Sequence, residues 1–348
     1  MQTPEFFIRG VGAHLPPRSD IGWATRQGLL TAEEAGRAQL TGALVAGDVP
    51  APQMALNAAR EAVERCGQAP DELDLTLYSG TWHQGPEGWL PGSYLQNHLT
   101  GGDVPAIELV HGCSGMFGAL ELAVSYLRAD PDRASALLIA ADNYAGEVEQ
   151  RWEPGPFMAG DAATALVLSK QPGFAQLLSI RSGIVLDETD VNRRGQPLFP
   201  PSATTGTRVS LWQRGAKNRR RQPIDRAKIA DRMRRMQEKY SEVADAALSE
   251  AGITVADITR VGVIHTIREV IEDRGMHQLG VDFSKSTWEY GRGVGHCGAS
   301  DQVMAFDHML STGQLQPGDH YMMLGTGPGT VLACAIIKIL EPPPWSVN

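Results

Sequence analysis

One of the four cysteines in this chain sits where a sulfur could do chemistry. Cys113 lies between Gly112 and Ser114-Gly115, just ahead of an apolar helical pattern made by Met116, Leu120, Ala123, Val124 and Leu127. That pattern puts the sulfur at a helix N-terminus, where the macrodipole and unpaired N–H groups favour a thiolate and can hold an oxyanion. The flanking glycines leave room for a substrate and for a neighbouring backbone. Buried cysteines usually behave as small hydrophobes, and Cys66, Cys297 and Cys334 are read that way. No two cysteines have CxxC spacing, so neither a disulfide framework nor a cysteine zinc site is expected.

A nucleophile of this kind needs a base. His265 follows the apolar run Arg260-Val261-Gly262-Val263-Ile264, at the strand end where α/β sheets carry their active residues. His296 follows Gly295 ahead of another helical stretch. Either imidazole can act as general base near neutral pH. His14, His98, His277, His308 and His320 are read as structural or surface residues. Asp301, five residues after His296, either orients an imidazole or favours a helix N-terminus. Gly325-Thr326-Gly327-Pro328-Gly329 is too glycine-rich for an ordinary strand link, and it could offer an N–H that completes an oxyanion hole with the N–H of Cys113. A strand rather than a helix follows it, so it is not a dinucleotide fingerprint. The chain has no HExxH motif, P-loop or paired metal ligands, and no metal or resident cofactor is expected.

The elements that position these residues repeat. Residues 62–80 align with 247–265, so that Gly67 falls on Gly252, Leu73 on Ile258 and Gly80 on His265. Residues 111–143 align with 295–327, placing Cys113 on His296 and Ala141 on Gly325. The strand patterns 160–169 and 327–337 also correspond. Each copy reads as alternating helices and strands, with continuous apolar runs such as Leu137–Asp142 that indicate strands covered on both faces. The expectation is an α/β protein of two similar halves, 1–172 carrying the cysteine and 173–348 carrying the histidines and the glycine turn, packed about a pseudo-twofold axis.

Composition narrows the class. The 348 residues include 42% hydrophobic and 20% charged residues, as in a soluble globular protein. No apolar run is long enough to span a bilayer. The N-terminal Met1-Gln2-Thr3-Pro4-Glu5 lacks a secretory pattern, so a cytoplasmic location is expected. A net charge of −9 argues against nucleic-acid binding. From Arg193 to Lys239, however, fourteen Lys or Arg residues face only Asp225, Asp231 and Glu238. That segment is read first as a solvated surface and second as a docking patch for an acidic carrier protein or CoA phosphates.

His111-Gly112-Cys113-Ser114-Gly115 before a helix, Gly160-Asp161-Ala162-Ala163-Thr164, His265 after a strand, Gly295-His296-Cys297-Gly298 and the 324–336 run together resemble β-ketoacyl-acyl-carrier-protein synthase III and its thiolase-superfamily relatives. The resemblance runs in order over nearly the whole chain. It implies a thiolase-like five-layered αβαβα fold, a homodimer and an acyl-cysteine intermediate. It makes Cys113 the nucleophile, His265 the first catalytic histidine and Gly327 the second oxyanion-hole donor. Trp89 and Leu90 would fall near the segment lent to the partner subunit's acyl pocket. Arg268, Arg219, Arg220 and Arg221 would be candidates for carrier or CoA docking.

The sequence departs from that family where the chemistry is decided. His296 stands where the family has Asn, and His265-Thr266-Ile267-Arg268 replaces its His-x-x-Asn pattern. No tryptophan–arginine pair of the kind that clasps CoA stands near Gly36–Leu40. The chain is more similar to divergent members of antibiotic and polyketide pathways that transfer acyl groups. The expected activity is therefore movement of an acyl group from an acyl-CoA or acyl-carrier thioester, through Cys113, to a hydroxyl, amine or carrier thiol. CoA or phosphopantetheine enters as substrate. Decarboxylative Claisen condensation with a malonyl thioester is the alternative, and an inactive partner subunit is a minor one.

Overall fold

The computed structural model describes residues 1–86, 88–144, 151, 152, 155, 157–186 and 226–345. Eleven strands follow one another as β1 (Gln2–His14), β2 (Arg18–Asp20), β3 (Gly42–Leu44), β4 (Leu75–Gly80), β5 (Ala106–Val110), β6 (Ser135–Asp142), β7 (Ala162–Ser169), β8 (Ala175–Ile184), β9 (Ile258–Gly262), β10 (His320–Gly327) and β11 (Val331–Ile339). Four helices frame the site: α1 (Ala51–Cys66), α2 (Gly115–Arg128), α3 (Arg226–Ala251) and α4 (Asp301–Ser311).

Strand order exposes the duplication. Nine strands hydrogen-bond in the order β5-β4-β6-β7-β1-β8-β11-β10-β9, while β2 and β3 form a separate ribbon. Reading outward from the β1–β8 junction, β7, β6 and β4 on one side answer β11, β10 and β9 on the other. The pairings agree: β6 with β7 and β10 with β11 are antiparallel, whereas β4 with β6 and β9 with β10 are parallel. Gly67 and Gly252 end equivalent helices, with left-handed φ values of 68° and 70° that favour glycine.

Alternation along the strands builds the layers. On β6, Leu137, Ile139 and Ala141 face α1, whereas Ala136, Leu138 and Ala140 face α2. On β10 and β11, Met322, Leu324, Cys334 and Ile336 pack against Val243, Ala244 and Ala247 of α3. Tyr321, Met323, Ala335 and Ile337 point the other way and share a core with α2 and α4. The layers are therefore α1, the first half's strands, α2 with α4, the second half's strands, and α3. Burial of Leu120, Val124 and Leu127 of α2 stabilises the central layer by roughly 1.5–3 kcal/mol for each side chain.

Close approach explains the small residues of α1. A Cβ at Gly10 would sit 2.0 Å from the Ala62 carbonyl oxygen, and one at Gly12 would sit 2.2 Å from that of Ala58. The helix thus rests directly on β1. Among the described residues, no helix is long and apolar enough to cross a membrane.

Candidate active site

The nucleophile turn joins β5 to α2. Gly112 has φ +59° and opens a 3-10 turn, Gly112–Ser114, from which α2 continues at Gly115. A side chain at Gly112 would meet Pro328, its Cβ falling 2.4 Å from Pro328 Cδ. One at Gly115 would fall 2.8 Å from Ser79 Cβ. Only glycine fits at either position, so the two glycines clamp the half-buried Cys113 against the β10–β11 turn and β4.

The second half delivers the base. His296, 4% exposed, places Nε2 2.9 Å from Cys113 Sγ. Its Nδ1 lies 2.5 Å from Oδ2 of Asp301, the first residue of α4. Asp301 is fully buried, and its carboxylate also accepts the backbone N–H groups of Cys297 (2.7 Å) and His265 (2.8 Å). Burial by itself disfavours a charged imidazole at His296, but the adjoining Cys113 sulfur and Asp301 carboxylate outweigh it and raise His296 well above the ordinary histidine value. Burial would likewise raise Asp301; the two histidines and the donors around it win, and its value is lowered. An imidazole fixed at one nitrogen by a carboxylate and touching a thiol with the other can take the thiol's proton. It can later take one from an incoming acceptor.

His265 does not share that position. Its Nδ1 lies 2.9 Å from the Gly295 carbonyl oxygen and 3.3 Å from Asp301 Oδ1. Its other edge lies against Gly291, where a Cβ would fall 2.4 Å from His265 Cδ2, and against the ring of Tyr290. His265 Nε2 is buried and has no hydrogen-bond partner among the described residues. Burial lowers its pKa, against the opposing pull of Asp301. Of the two imidazoles, His296 is the one hydrogen-bonded to the sulfur among the described residues, and His265 is joined to it through Asp301. Gly295 O and Asp301 hold the His265 ring by Nδ1.

Residues that the sequence reading passed over complete the surroundings. Phe157 sets its ring edge on His296, with centroids 4.6 Å apart and planes at 71°. Asp142, at the end of β6, is fully buried and accepts hydrogen bonds from Thr81 N–H (2.8 Å), Thr81 Oγ1 (3.0 Å) and Gln84 Nε2 (3.2 Å). Burial pushes its carboxyl up to about 7. Asp142 could have been found as a charge at the end of an otherwise apolar strand, whereas no local pattern marks Phe157.

Known proteins share this framework. The profile for 3-oxoacyl-[acyl-carrier-protein] synthase III matches residues 107–183, and the profile for its C-terminal region matches 248–339. A solved acyltransferase, ChlB3, is 49% identical, covers 99% of this chain and 100% of its own, and superposes with a TM-score of 0.90. The chain belongs to the synthase III-like family of the thiolase superfamily. The β-ketoacyl-[acyl-carrier-protein] synthase III of Rhizorhabdus wittichii is 25% identical over 339 residues, covering 95% of this chain and 98% of the relative. FabH of Pseudomonas aeruginosa PAO1, at 19% identity and a TM-score of 0.73 over 97% of this chain and 99% of that one, shows the shared fold. So does OleA of Xanthomonas campestris, at 15% identity and 0.75 over 97% and 98%. As a synthase III-like chain, the protein is a transferase by family.

The other sequence candidates take separate places. Gly327 is at the site: a Cβ there would fall 2.5 Å from Ser114 Oγ and 2.9 Å from Ser114 N. Trp89 stacks at a tilt with Tyr94, 5.9 Å between centroids, and lines a groove with Pro50, Gln53 and Gln84, while Leu90 is exposed. Arg268 pairs with Glu272 at 2.9 Å and lies over Phe283, beside a shallow depression that also holds Arg37, Glu269 and Asp273. Arg219, Arg220 and Arg221 lie outside the described residues. Among the described residues, no group of His, Cys, Asp and Glu is arranged to hold a metal ion.

Proposed function

We propose that this synthase III-like protein is an acyltransferase working by a ping-pong route. Cys113 takes the acyl group from a CoA or carrier-protein thioester, and the acyl-enzyme is then attacked by a hydroxyl, an amine or a carrier thiol. The observation that carries the reading is the continuous line Cys113 Sγ–His296 Nε2 and His296 Nδ1–Asp301 Oδ2, at 2.9 Å and 2.5 Å. A carboxylate-held imidazole gives the enzyme a base for two successive proton transfers, which acyl transfer to a protic acceptor requires. His265 and Asp301 act as positioning residues for that base. The 49% identity with an acyltransferase chain supports the same direction.

The proposal includes a homodimer. β5 ends the sheet as an edge strand, and Ile107 and Val110 are 47% and 61% exposed on it. A second copy would cover that edge and bring Trp89 and Leu90 to the neighbouring site. No resident cofactor is invoked, since the thioester itself supplies the activated acyl group.

Intact-protein mass spectrometry after mixing with acyl-CoA or acyl-carrier donors tests the reading. A stable adduct on the wild type and none on Cys113→Ala is expected. Release of CO2 with a ketoacyl product from a malonyl-carrier acceptor would overturn transfer in favour of condensation. The absence of any Cys113-dependent adduct would favour an inactive partner subunit.

A further inference from the structure

The residue after the nucleophile is a serine whose hydroxyl has no partner among the described residues. Ser114 is fully buried, and its Oγ has no hydrogen-bond partner among the described residues. Native proteins rarely leave a buried hydroxyl in this state, because it loses water without replacement. Ser114 is also the N-cap of α2, and an N-cap serine ordinarily accepts a hydrogen bond from an N–H of the first turn. Ser114 makes no such bond. Its side chain is turned instead to Gly327, filling the space where a Cβ at that residue would fall 2.5 Å from Oγ.

That direction matters because of what meets there. The β10–β11 turn is seated on the nucleophile turn by two contacts, Pro328 on Gly112 and Gly327 on Ser114. The oxyanion hole expected of the backbone N–H groups of Cys113 and Gly327 would place a tetrahedral oxyanion between these two turns. A hydroxyl held there without an acceptor is ready to donate to a charge that exists only during the reaction.

We infer that Ser114 Oγ is a third oxyanion donor, a catalytic residue whose missing partner is the oxygen of the tetrahedral intermediate. The inference rests on the acyl-enzyme reading above. In the step concerned, the Cys113 thiolate forms a C–S bond to the acyl carbon and the carbonyl π pair moves onto oxygen, which accepts the Ser114 O–H. Collapse re-forms C=O, breaks the bond to the leaving thiolate and returns the hydroxyl to its unpaired state. In the resting enzyme the hydroxyl contributes nothing, so its value is confined to the transition state.

Two reagents separate this role from a structural one. p-Nitrophenyl acetate acylates a thiolate through a tetrahedral oxyanion, and the burst of p-nitrophenolate reports the rate. Iodoacetamide alkylates the same sulfur by direct displacement and forms no oxyanion. Ser114→Ala is expected to slow the burst by about 10- to 100-fold while leaving alkylation within about twofold of wild type. Its melting temperature should be unchanged or higher, since an unpaired buried hydroxyl has been removed. An unchanged burst would overturn the inference. So would an equal fall in burst and alkylation, which would mean that the hydroxyl positions the thiolate. A wild-type protein that gives no acetyl adduct on Cys113 would sink the acyl-enzyme reading as well, whereas normal loading by Ser114→Ala would sink this inference alone.

Discussion

The two halves use one structural unit for opposite purposes. In the first, a left-handed glycine and a 3-10 turn lead into α2, and the turn presents a half-buried sulfur backed by an apolar helix face. In the second, Gly295 and Gly298 are left-handed, a 3-10 turn leads into α4, and the equivalent place is closed around His296 and Asp301. Helix α4 begins with a buried carboxylate where α2 begins with glycine. A cysteine can be left near the surface because its reaction needs access. An ion pair of imidazole and carboxylate works better away from water, where its geometry is fixed and its charges are less screened. Duplication supplied two symmetric turns. The chemistry requires that they differ.

The largest break in that comparison comes from the base. His296→Asn keeps a hydrogen-bond donor near the sulfur and matches the residue type of standard synthase III members, yet it cannot carry a proton between groups. Transfer of the acyl group from Cys113 to acceptor is expected to fall by about 10²- to 10⁴-fold, measured in single turnovers from pre-loaded enzyme. Near-normal transfer by this variant would show that the second half supplies only a donor. The two halves would then differ less than their geometry suggests.

The sequence made much of this legible, and unevenly. The repeat was readable because both copies keep the same punctuation: Gly67 and Gly252 at helix ends, and glycines around Cys113 and His296. Cys113 was visible because glycines and an apolar helix bracket it, and aligning the copies set His296 at the equivalent place as a candidate partner. What stayed hidden depends on side-chain direction. Nothing local says that Gly295 O and Asp301 would hold the His265 ring by Nδ1. Nor does the sequence show that Ser114 would leave its cap position for Gly327, since both facts are settled by elements distant in the chain. Trp89 and Leu90 illustrate a different limit: their predicted role lies on a partner's surface, and one chain shows only a groove and an exposed leucine.

His265 gives a smaller break. Its backbone N–H, which any residue keeps, accounts for one of its two links to Asp301, and its ring supplies the other. His265→Gln should therefore lower kcat by about tenfold or less and leave KM for the donor nearly unchanged, as expected of a residue acting through another. The pH dependence of the acyl-loading rate supplies the second readout. If Asp301 alone holds His296, the profile keeps its shape, with only its height reduced. A loss as large as that of His296→Asn would place His265 in direct contact with the reaction and make the two imidazoles equal partners.

Asp142 sharpens the comparison at its quietest point, where the first half faces the base. A Cβ at Gly298 would fall 2.2 Å from Asp142 Oδ2, so this carboxyl lies flush against the loop that carries His296. His296, Tyr144, Tyr78 and Cys297 are among the ionisable groups that feel its charge. The carboxyl is held up at about 7 in the folded protein, first by burial, against about 3.9 in an unfolded chain. Between those values the folded state binds the extra proton, so stability falls as pH rises through the window, and the full cost is present above it. That cost is at most about 4 kcal/mol by linkage, less what an amide would lose as an acceptor for Thr81 and Gln84. Asp142→Asn should then raise the melting temperature more at about pH 8 than at about pH 4, where the wild-type carboxyl is largely protonated. An equal shift at both values would mean that the site carries no ionisation penalty. A pH-dependent gain accompanied by slower transfer would instead mark a carboxylate that stabilises the charged base beside it at the expense of the fold.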